Sequence, residues 1–182
     1  MSAALSLSLP EWTVLALMSE RPTHGFAISQ LTAPGGELGR IWHIPRPMVY
    51  RAIGRLEEAG LVAAQVVEPG RGPQRTVYGA TRPGRKAAAE WLATPVEHVR
   101  EVRSHLLLKL ALLDRAGGDP AGLLQRQKAV LQPIASAISA ERPGRDRFDA
   151  VLLAWRKATT AATMTFLDNI SRPEQASSEE AT

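Results

Sequence analysis

The side chains of this sequence that could do chemistry are mainly arginines, and several of them fall in one short stretch. Arg46, Tyr50 and Arg51 are spaced so that one helix would present all three on its outer side. Guanidinium groups bind phosphate oxygens and the acceptor edge of guanine, so this spacing indicates binding of a polyanion such as duplex DNA. A solvated surface helix that happens to carry arginines is the alternative on these residues alone.

Patterns typical of catalytic or metal sites are not found in the sequence. Its 182 residues include no cysteine, which excludes disulfides, thiolate metal sites and cysteine nucleophiles. The four histidines do not form an HExxH motif, and residues 35–39 lack the Gly-Lys-Ser/Thr ending of a phosphate-binding loop. We therefore expect no enzymatic activity, no cofactor and no metal ion.

Residues 44–62 predict the helix that would position these arginines. The residues expected to face inward are Val49, Ala52, Ile53 and Leu56. Pro47 suits a first helical turn, and Gly60 ends the helix. The start of this helix would attract phosphate through its dipole, and Arg55 lies at the edge of its outer side.

Two β-type runs, residues 61–67 and 75–81, follow this helix directly and predict a hairpin. Its glycine- and proline-rich connection, residues 68–74, supplies Arg71 and Gly72, and Arg75 begins the second run. A helix followed by a basic-tipped hairpin predicts a winged helix-turn-helix, with the helix in the major groove and the hairpin on the neighbouring phosphates. An ordinary flexible hairpin with surface arginines is the alternative.

Two further helices are predicted upstream. Ser8 and Glu11 form a capping box for a helix that continues to about Glu20, and Thr23 is expected to cap a helix from His24 to about Thr32. Arg40 lies in the linker that follows and is a predicted phosphate contact. Residues 40–86 hold nine basic and three acidic residues, although the whole chain has a net charge of only +4. Positive charge is thus concentrated in the winged motif, as expected of a DNA-binding face.

From Leu9 to about Trp91 the sequence resembles the PadR family of bacterial transcriptional regulators. The resemblance rests on His24-Gly25-Phe26, on residues 48–62, on the wing and on residues 78–84. The family usually has tyrosine where this chain has Phe26, and often serine or threonine where it has Pro45-Arg46-Pro47. The resemblance implies a dimeric repressor that leaves its operator when a signal changes the spacing of two winged domains. For some members that signal is a small hydrophobic or phenolic effector.

A helical unit is predicted after the winged region. We expect a mostly α-helical fold with a small β-hairpin wing, divided into a DNA-binding domain (1–94), a helical dimerisation or effector domain (95–170) and a disordered tail (171–182). The predicted helices are 95–116, with a capping box at 94–97, 120–140 and 146–170. One stripe of the last helix carries Phe148, Val151, Leu152, Trp155, Thr159, Ala162, Phe166 and Ile170. A homodimer would cover such apolar faces, and a monomer whose helices close on themselves is the alternative.

Trp91 lies near the predicted domain junction and could stack on a flat effector, although packing is the commoner role of such a tryptophan. The first residues lack the basic segment of a secretory signal, and the apolar run 105–113 is too short for a bilayer. These features predict a cytoplasmic protein without membrane contact. For function, two possibilities stay open: a regulator that binds an inverted-repeat DNA operator, and a winged-helix adaptor that binds proteins and has no operator.

Overall fold

A computed structural model describes residues 6–68, 75–144 and 146–171 of the chain. The elements in chain order are α1 (Leu9–Glu20), α2 (Gly25–Leu31), α3 (Arg46–Glu58), β1 (Val62–Glu68), β2 (Arg75–Ala80), α4 (Arg82–Ala93), α5 (Val99–Glu101), a π-helical turn (Val102–Leu106), α6 (Leu107–Arg115), α7 (Ala121–Ala140) and α8 (Arg147–Ile170). The predicted fold class is confirmed, because the described residues are mostly helical and include one two-stranded antiparallel hairpin.

The chain forms two compact units that are not contiguous in sequence. Of the described residues, one unit contains those within 1–93 and 103–118, and the other contains those within 94–102 and 119–182. Residues 103–118 belong to the first unit because Leu108 and Leu112 lie in the same apolar core as α1 and α3. This grouping does not coincide with the predicted division between residues 94 and 95.

The core of the first unit is built on α1 and on the inner face of α3. The buried residues of α3 are Val49, Ala52, Ile53 and Leu56, the four that its periodicity predicts. Gly60 follows with a φ of 68°, a conformation that glycine adopts without strain, so the predicted helix end is also confirmed.

The starts of α1 and α2 show how local hydrogen bonds set their first turns. The Glu11 carboxylate accepts hydrogen bonds from the amide and hydroxyl of Ser8, at 2.6 and 2.8 Å, in the predicted capping box. The cap of α2 is His24 rather than Thr23, because His24 Nδ1 accepts a hydrogen bond from Ala27 N at 3.0 Å. The backbone of Thr23 is instead bonded to Tyr78, in a short antiparallel bridge.

The hairpin pairs Val62 with Ala80 at one end and Glu68 with Arg75 at the other, with an irregularity in register between Ala64 and Val66. The bridge from Thr23 to Tyr78, with two N···O distances of 2.8 Å, attaches β2 to the chain just before α2. The connection between the strands, residues 69–74, lies outside the described residues.

In the second unit, residues 94–98 are not helical, so the capping box predicted at 94–97 is wrong and the helix predicted over 95–116 begins only at Val99. The reason is a non-local contact: the side-chain amide of Gln127 in α7 bonds both the N–H and the C=O of Val96, each at 2.8 Å. The amide of His98 donates a hydrogen bond to the Glu101 carboxylate at the start of α5, at 3.1 Å.

Asp146 is the N-cap of α8 and accepts a hydrogen bond from Phe148 N. Pro120 is the N-cap of α7, and Asp119 before it accepts a hydrogen bond from Ala121 N. Within the described residues, none of the helices has the length and apolar character needed to span a bilayer.

Candidate nucleic-acid interface

The start of α3 is unusual for a helix that is expected to meet phosphate. Pro45 precedes the helix and Pro47 lies in its first turn, where neither can offer an amide hydrogen. Met48 N is also engaged, because it donates to Pro45 O at 2.8 Å. This helix start therefore has fewer amide donors for an anion than is typical, and side chains must supply most of the attraction.

The outer side of α3 is open, as the sequence predicts. Pro47, Tyr50 and Arg51 are exposed, and the opposite face of the helix is buried in the core. Arg51 forms no ion pair or hydrogen bond with any residue that the structure describes. Gly54 lies further along the same helix, and a Cβ built there would meet nothing within 4 Å. A ligand could approach this surface without displacing any described part of the chain.

Arg46 lies between two aromatic rings at the start of α3. Its guanidinium carbon is 5.5 Å from the ring centroid of Phe26 and 5.7 Å from that of Tyr50. Both distances are within the reach of a cation–π interaction, which is worth about 0.5–1 kcal/mol at exposed sites. The sequence alone did not identify this role of Phe26, because its position on α2 indicated only apolar packing.

Gly25 lies directly behind the ring of Tyr50. A Cβ built on Gly25 would lie 2.9 Å from Tyr50 Cε1, which is closer than real Cβ contacts occur, and at a tight 3.0 Å from Ile53 Cδ1. The absence of a side chain at Gly25 therefore lets Tyr50 pack closely against the start of α2.

Arg55 is placed differently from the other two arginines of α3. Its guanidinium forms an ion pair of 2.7 Å with Glu11, whose side chain is only 3% exposed, while Arg55 itself is 58% exposed. The carboxylate of Glu11 thus joins the start of α1 to the outer edge of α3. Part of the positive charge predicted for the DNA-facing side is neutralised by this pair.

Arg40 is exposed in the connection between α2 and α3, before Arg46 in the sequence. That connection is held by Arg115 of α6, which forms ion pairs with Glu37 and, at 3.3 Å, with Glu20. Burial lowers the pKa of Arg115, but its hydrogen bond with Glu37 and the charges of both carboxylates more than compensate, so the pKa lies above its ordinary value. Arg115 therefore stays charged and acts as a fixed ionic contact.

The predicted wing contacts are only partly within the described residues. Arg71 and Gly72 lie outside them, and of Arg75 the structure describes the backbone, at the first position of β2. The assignment of these residues to phosphate binding stays a prediction. The described part of the hairpin is attached to the residue before His24 through the bridge between Thr23 and Tyr78.

Trp91, the predicted effector contact, is engaged by other side chains of the first unit. Its ring stacks on Trp12 with a centroid distance of 5.5 Å and an interplanar angle of 3°. The ammonium nitrogen of Lys109 lies 4.8 Å from the centroid of Trp91, and Lys109 is 3% exposed. These contacts give Trp91 a packing role, and its contact with an effector stays a prediction. Among the described residues, no group of three histidine, aspartate or glutamate side chains could hold a metal ion.

Comparison with known proteins gives one family for the winged region. Residues 14–90 match the model described as the transcriptional regulator PadR-like family. No curated protein matches the chain.

Several solved structures resemble the chain at low sequence identity. Bacillus subtilis PadR in complex with operator DNA is 16% identical, with a TM-score of 0.46 and coverage of 90% of this chain and 98% of that one. The PadR-like regulator BC1756 from Bacillus cereus is 17% identical, with a TM-score of 0.42 and coverage of 93% and 98%. The virulence activator AphA of Vibrio cholerae is 23% identical, with a TM-score of 0.40 and coverage of 90% and 96%.

Proposed function

We propose that this chain is a cytoplasmic repressor of the PadR-like kind that binds a duplex DNA operator through α3 and the hairpin, and the match of residues 14–90 to the model of the transcriptional regulator PadR-like family supports this. Its role is binding rather than catalysis. The observation that carries the proposal is the outer side of α3, where Arg46, Tyr50 and Arg51 are exposed while the inner face is buried in the core. A helix held in this way can enter a major groove without rearranging its own subunit.

The residues of the proposed DNA-binding surface divide into two groups with different tasks. Arg46, Tyr50 and Arg51, at the first two turns of α3, are assigned to base edges in the major groove, with Pro47 in contact with the same groove. The residues assigned to phosphates are Arg40, Arg55, Arg71, Gly72 and Arg75. Base contacts give sequence preference, whereas phosphate contacts give affinity that falls as salt rises.

The operator is proposed to be an inverted repeat bound by a homodimer. Support comes from α8, whose exposed apolar side chains include Phe148 and Trp155, each 67% exposed. A second copy would cover this face and would also present a second α3, and two such helices read half-sites about 34 Å apart. A small hydrophobic or phenolic effector that releases the DNA is part of the proposal, because the family resemblance implies it.

The function is tested by selecting bound sites from random duplex DNA and then measuring the affinity of the selected site across a salt series. We expect an inverted repeat and a Kd that rises steeply with salt. Arg51→Ala should lower affinity and relax the base preference at one position, at a cost of about 1–3 kcal/mol in discrimination. Arg71→Ala should weaken binding about equally on all sequences and reduce the salt slope by about 1.

Arg142→Ala is the matched control, because Arg142 is an exposed arginine of the second unit, outside the proposed surface. It should leave both the base preference and the salt slope unchanged. Weak binding without any preferred sequence would instead fit a protein-interaction adaptor. Equal effects of Arg51→Ala and Arg71→Ala on base preference would contradict the division into groove and phosphate contacts.

A further inference from the structure

We propose that Phe26 and Gly25 are positioning residues for DNA recognition, which hold Arg46 and Tyr50 in the arrangement that lets Arg46 read a guanine in the operator. This inference rests on the proposed function and assigns a task to two residues of α2 that are not expected to touch bases themselves. It makes Phe26 a determinant of which sequence the chain prefers.

The first support is the position of Arg46 between two rings from different helices. Phe26 belongs to α2 and Tyr50 to α3, and their centroids lie 5.5 and 5.7 Å from the guanidinium carbon. A free arginine side chain samples many rotamers and loses that freedom when it binds. Because the two rings already restrict Arg46 before DNA binds, the arginine side chain loses less conformational entropy on binding. It can also form fewer contacts with bases other than the preferred one.

The second support is the fit of Tyr50 against Gly25. A Cβ at Gly25 would meet the Tyr50 ring at 2.9 Å, so any larger residue there would push the ring away. Since that ring is one of the two beside Arg46, a shift of Tyr50 would also release the guanidinium. Gly25 and Phe26 therefore act together, as adjacent residues at the start of α2.

The third support is the availability of the Arg46 donors. Arg46 forms no hydrogen bond or ion pair with any residue that the structure describes, and its guanidinium lies near the two rings. Its N–H groups are therefore free to form a bidentate bond. In the major groove the matching acceptor pair is O6 and N7 of guanine, which is the commonest specific contact of arginine with DNA.

The experiment compares Phe26→Leu, which keeps an apolar side chain but removes the ring, with Phe26→Tyr, which keeps the ring. Binding is measured on the selected operator and on versions in which each G·C pair of a half-site is replaced in turn by A·T. For the unchanged protein we expect one pair whose replacement weakens binding by about 5- to 150-fold. Phe26→Leu should reduce that penalty several-fold, up to about tenfold, and Phe26→Tyr should retain it.

Arg46→Ala should remove the penalty at the same base pair, and adding Phe26→Leu to it should cause no further loss, because the two residues act as one unit. Gly25→Ala should reduce the penalty as Phe26→Leu does. Gly35→Ala is its control, since a Cβ at Gly35 meets nothing within 4 Å, and it should leave the penalty unchanged. Thermal unfolding of each variant confirms that the measurements are made on folded protein.

The proposal is overturned if Phe26→Leu keeps the full penalty at every base pair while lowering affinity uniformly, or if Gly25→Ala binds with the unchanged preference. Either result would leave the proposed function intact, because the protein would still select an operator. If the unchanged protein selects no preferred sequence at all, the proposed function itself fails, and this inference fails with it.

Discussion

The three arginines of α3 have different partners, and this decides what each can do. Arg46 contacts two aromatic rings, Arg51 contacts no described acceptor, and Arg55 is paired with the buried carboxylate of Glu11. The carboxylate also accepts two hydrogen bonds from Ser8, so the pair is part of the network that starts α1. The charge of Arg55 therefore stabilises the buried carboxylate of Glu11, in addition to any contact it makes with DNA.

Replacing Arg55 with alanine should destabilise the fold. Glu11, 3% exposed, would lose its cation and stay almost buried. We expect the free energy of unfolding to fall by about 1–2 kcal/mol, less than for a fully buried pair because Arg55 is 58% exposed. Urea denaturation measures the change, and Arg51→Ala is the control, with an expected effect within about 0.5 kcal/mol.

The double variant Glu11→Gln/Arg55→Ala should lose less stability than the two single changes added together, because no buried charge is left unpaired. If Arg55→Ala is as stable as Arg51→Ala but binds the operator more weakly, the arginine acts chiefly on DNA.

At the scale of elements, the conformation of the segment between α4 and α5 is set by hydrogen bonds to one glutamine. Gln127 of α7 is fully buried and bonds both backbone groups of Val96, as a neighbouring strand would. These bonds hold residues 94–98 in a non-helical conformation, although Thr94, Pro95 and Glu97 are typical of a helix start. A tertiary contact here prevails over the local preference.

Gln127→Leu keeps a similar volume but leaves the N–H and C=O of Val96 without these partners. Two unsatisfied buried polar groups should cost about 2–4 kcal/mol in the free energy of unfolding. Hydrogen exchange should show the amide of Val96 losing its protection before the amides of α7 do. Gln125→Leu, an exposed change two residues earlier in the same helix, is the control and should have little effect. Unchanged protection of the Val96 amide in Gln127→Leu would contradict this role.

The elements that the sequence predicts well are those governed by short-range periodicity. The buried residues of α3, the stop at Gly60 and the cap of α8 follow from spacing within one helix. The features that it misses depend on residues far apart in the chain. Arg55 of α3 pairs with Glu11 of α1, and Val96 bonds Gln127 at a distance of 31 residues in the chain. Thr23 does not cap α2, because its backbone is bridged to Tyr78.

In the candidate site too, the features set by helical spacing are predicted and the contacts between distant residues are not. The outward direction of Tyr50 and Arg51 follows from the helical period, and the structure bears it out. The contact of Arg46 with Phe26 links α3 to α2. The sequence does not indicate the path of the linker between these helices, so no local pattern could have indicated the contact. The one sequence feature that relates to this contact is the aromatic residue next to Gly25. A glycine followed by an aromatic residue is also compatible with simple packing.

At the scale of the whole molecule, α8 leaves an apolar face uncovered by the described part of its own chain. The exposed side chains on that face are Phe148, Val151, Leu152 and Trp155. They recur at intervals of three and four residues, so they form one continuous stripe. Aromatic side chains each bury about 150–250 Å² when covered, and such a stripe is costly to leave in water. A second copy of the chain is the partner that also fits the proposed inverted-repeat operator.

Trp155→Glu should therefore shift the protein from dimer to monomer in analytical ultracentrifugation, because a carboxylate in the interface would be buried without a partner. Affinity for the full inverted repeat should fall by about 100-fold or more, since the two half-sites would no longer be bound as one unit. Affinity for a single half-site should not change. Ala150→Glu introduces the same charge on the other side of α8, at another exposed position, and should leave the dimer intact. A Trp155→Glu protein that stays dimeric at the same concentrations would place the dimer interface on a different surface.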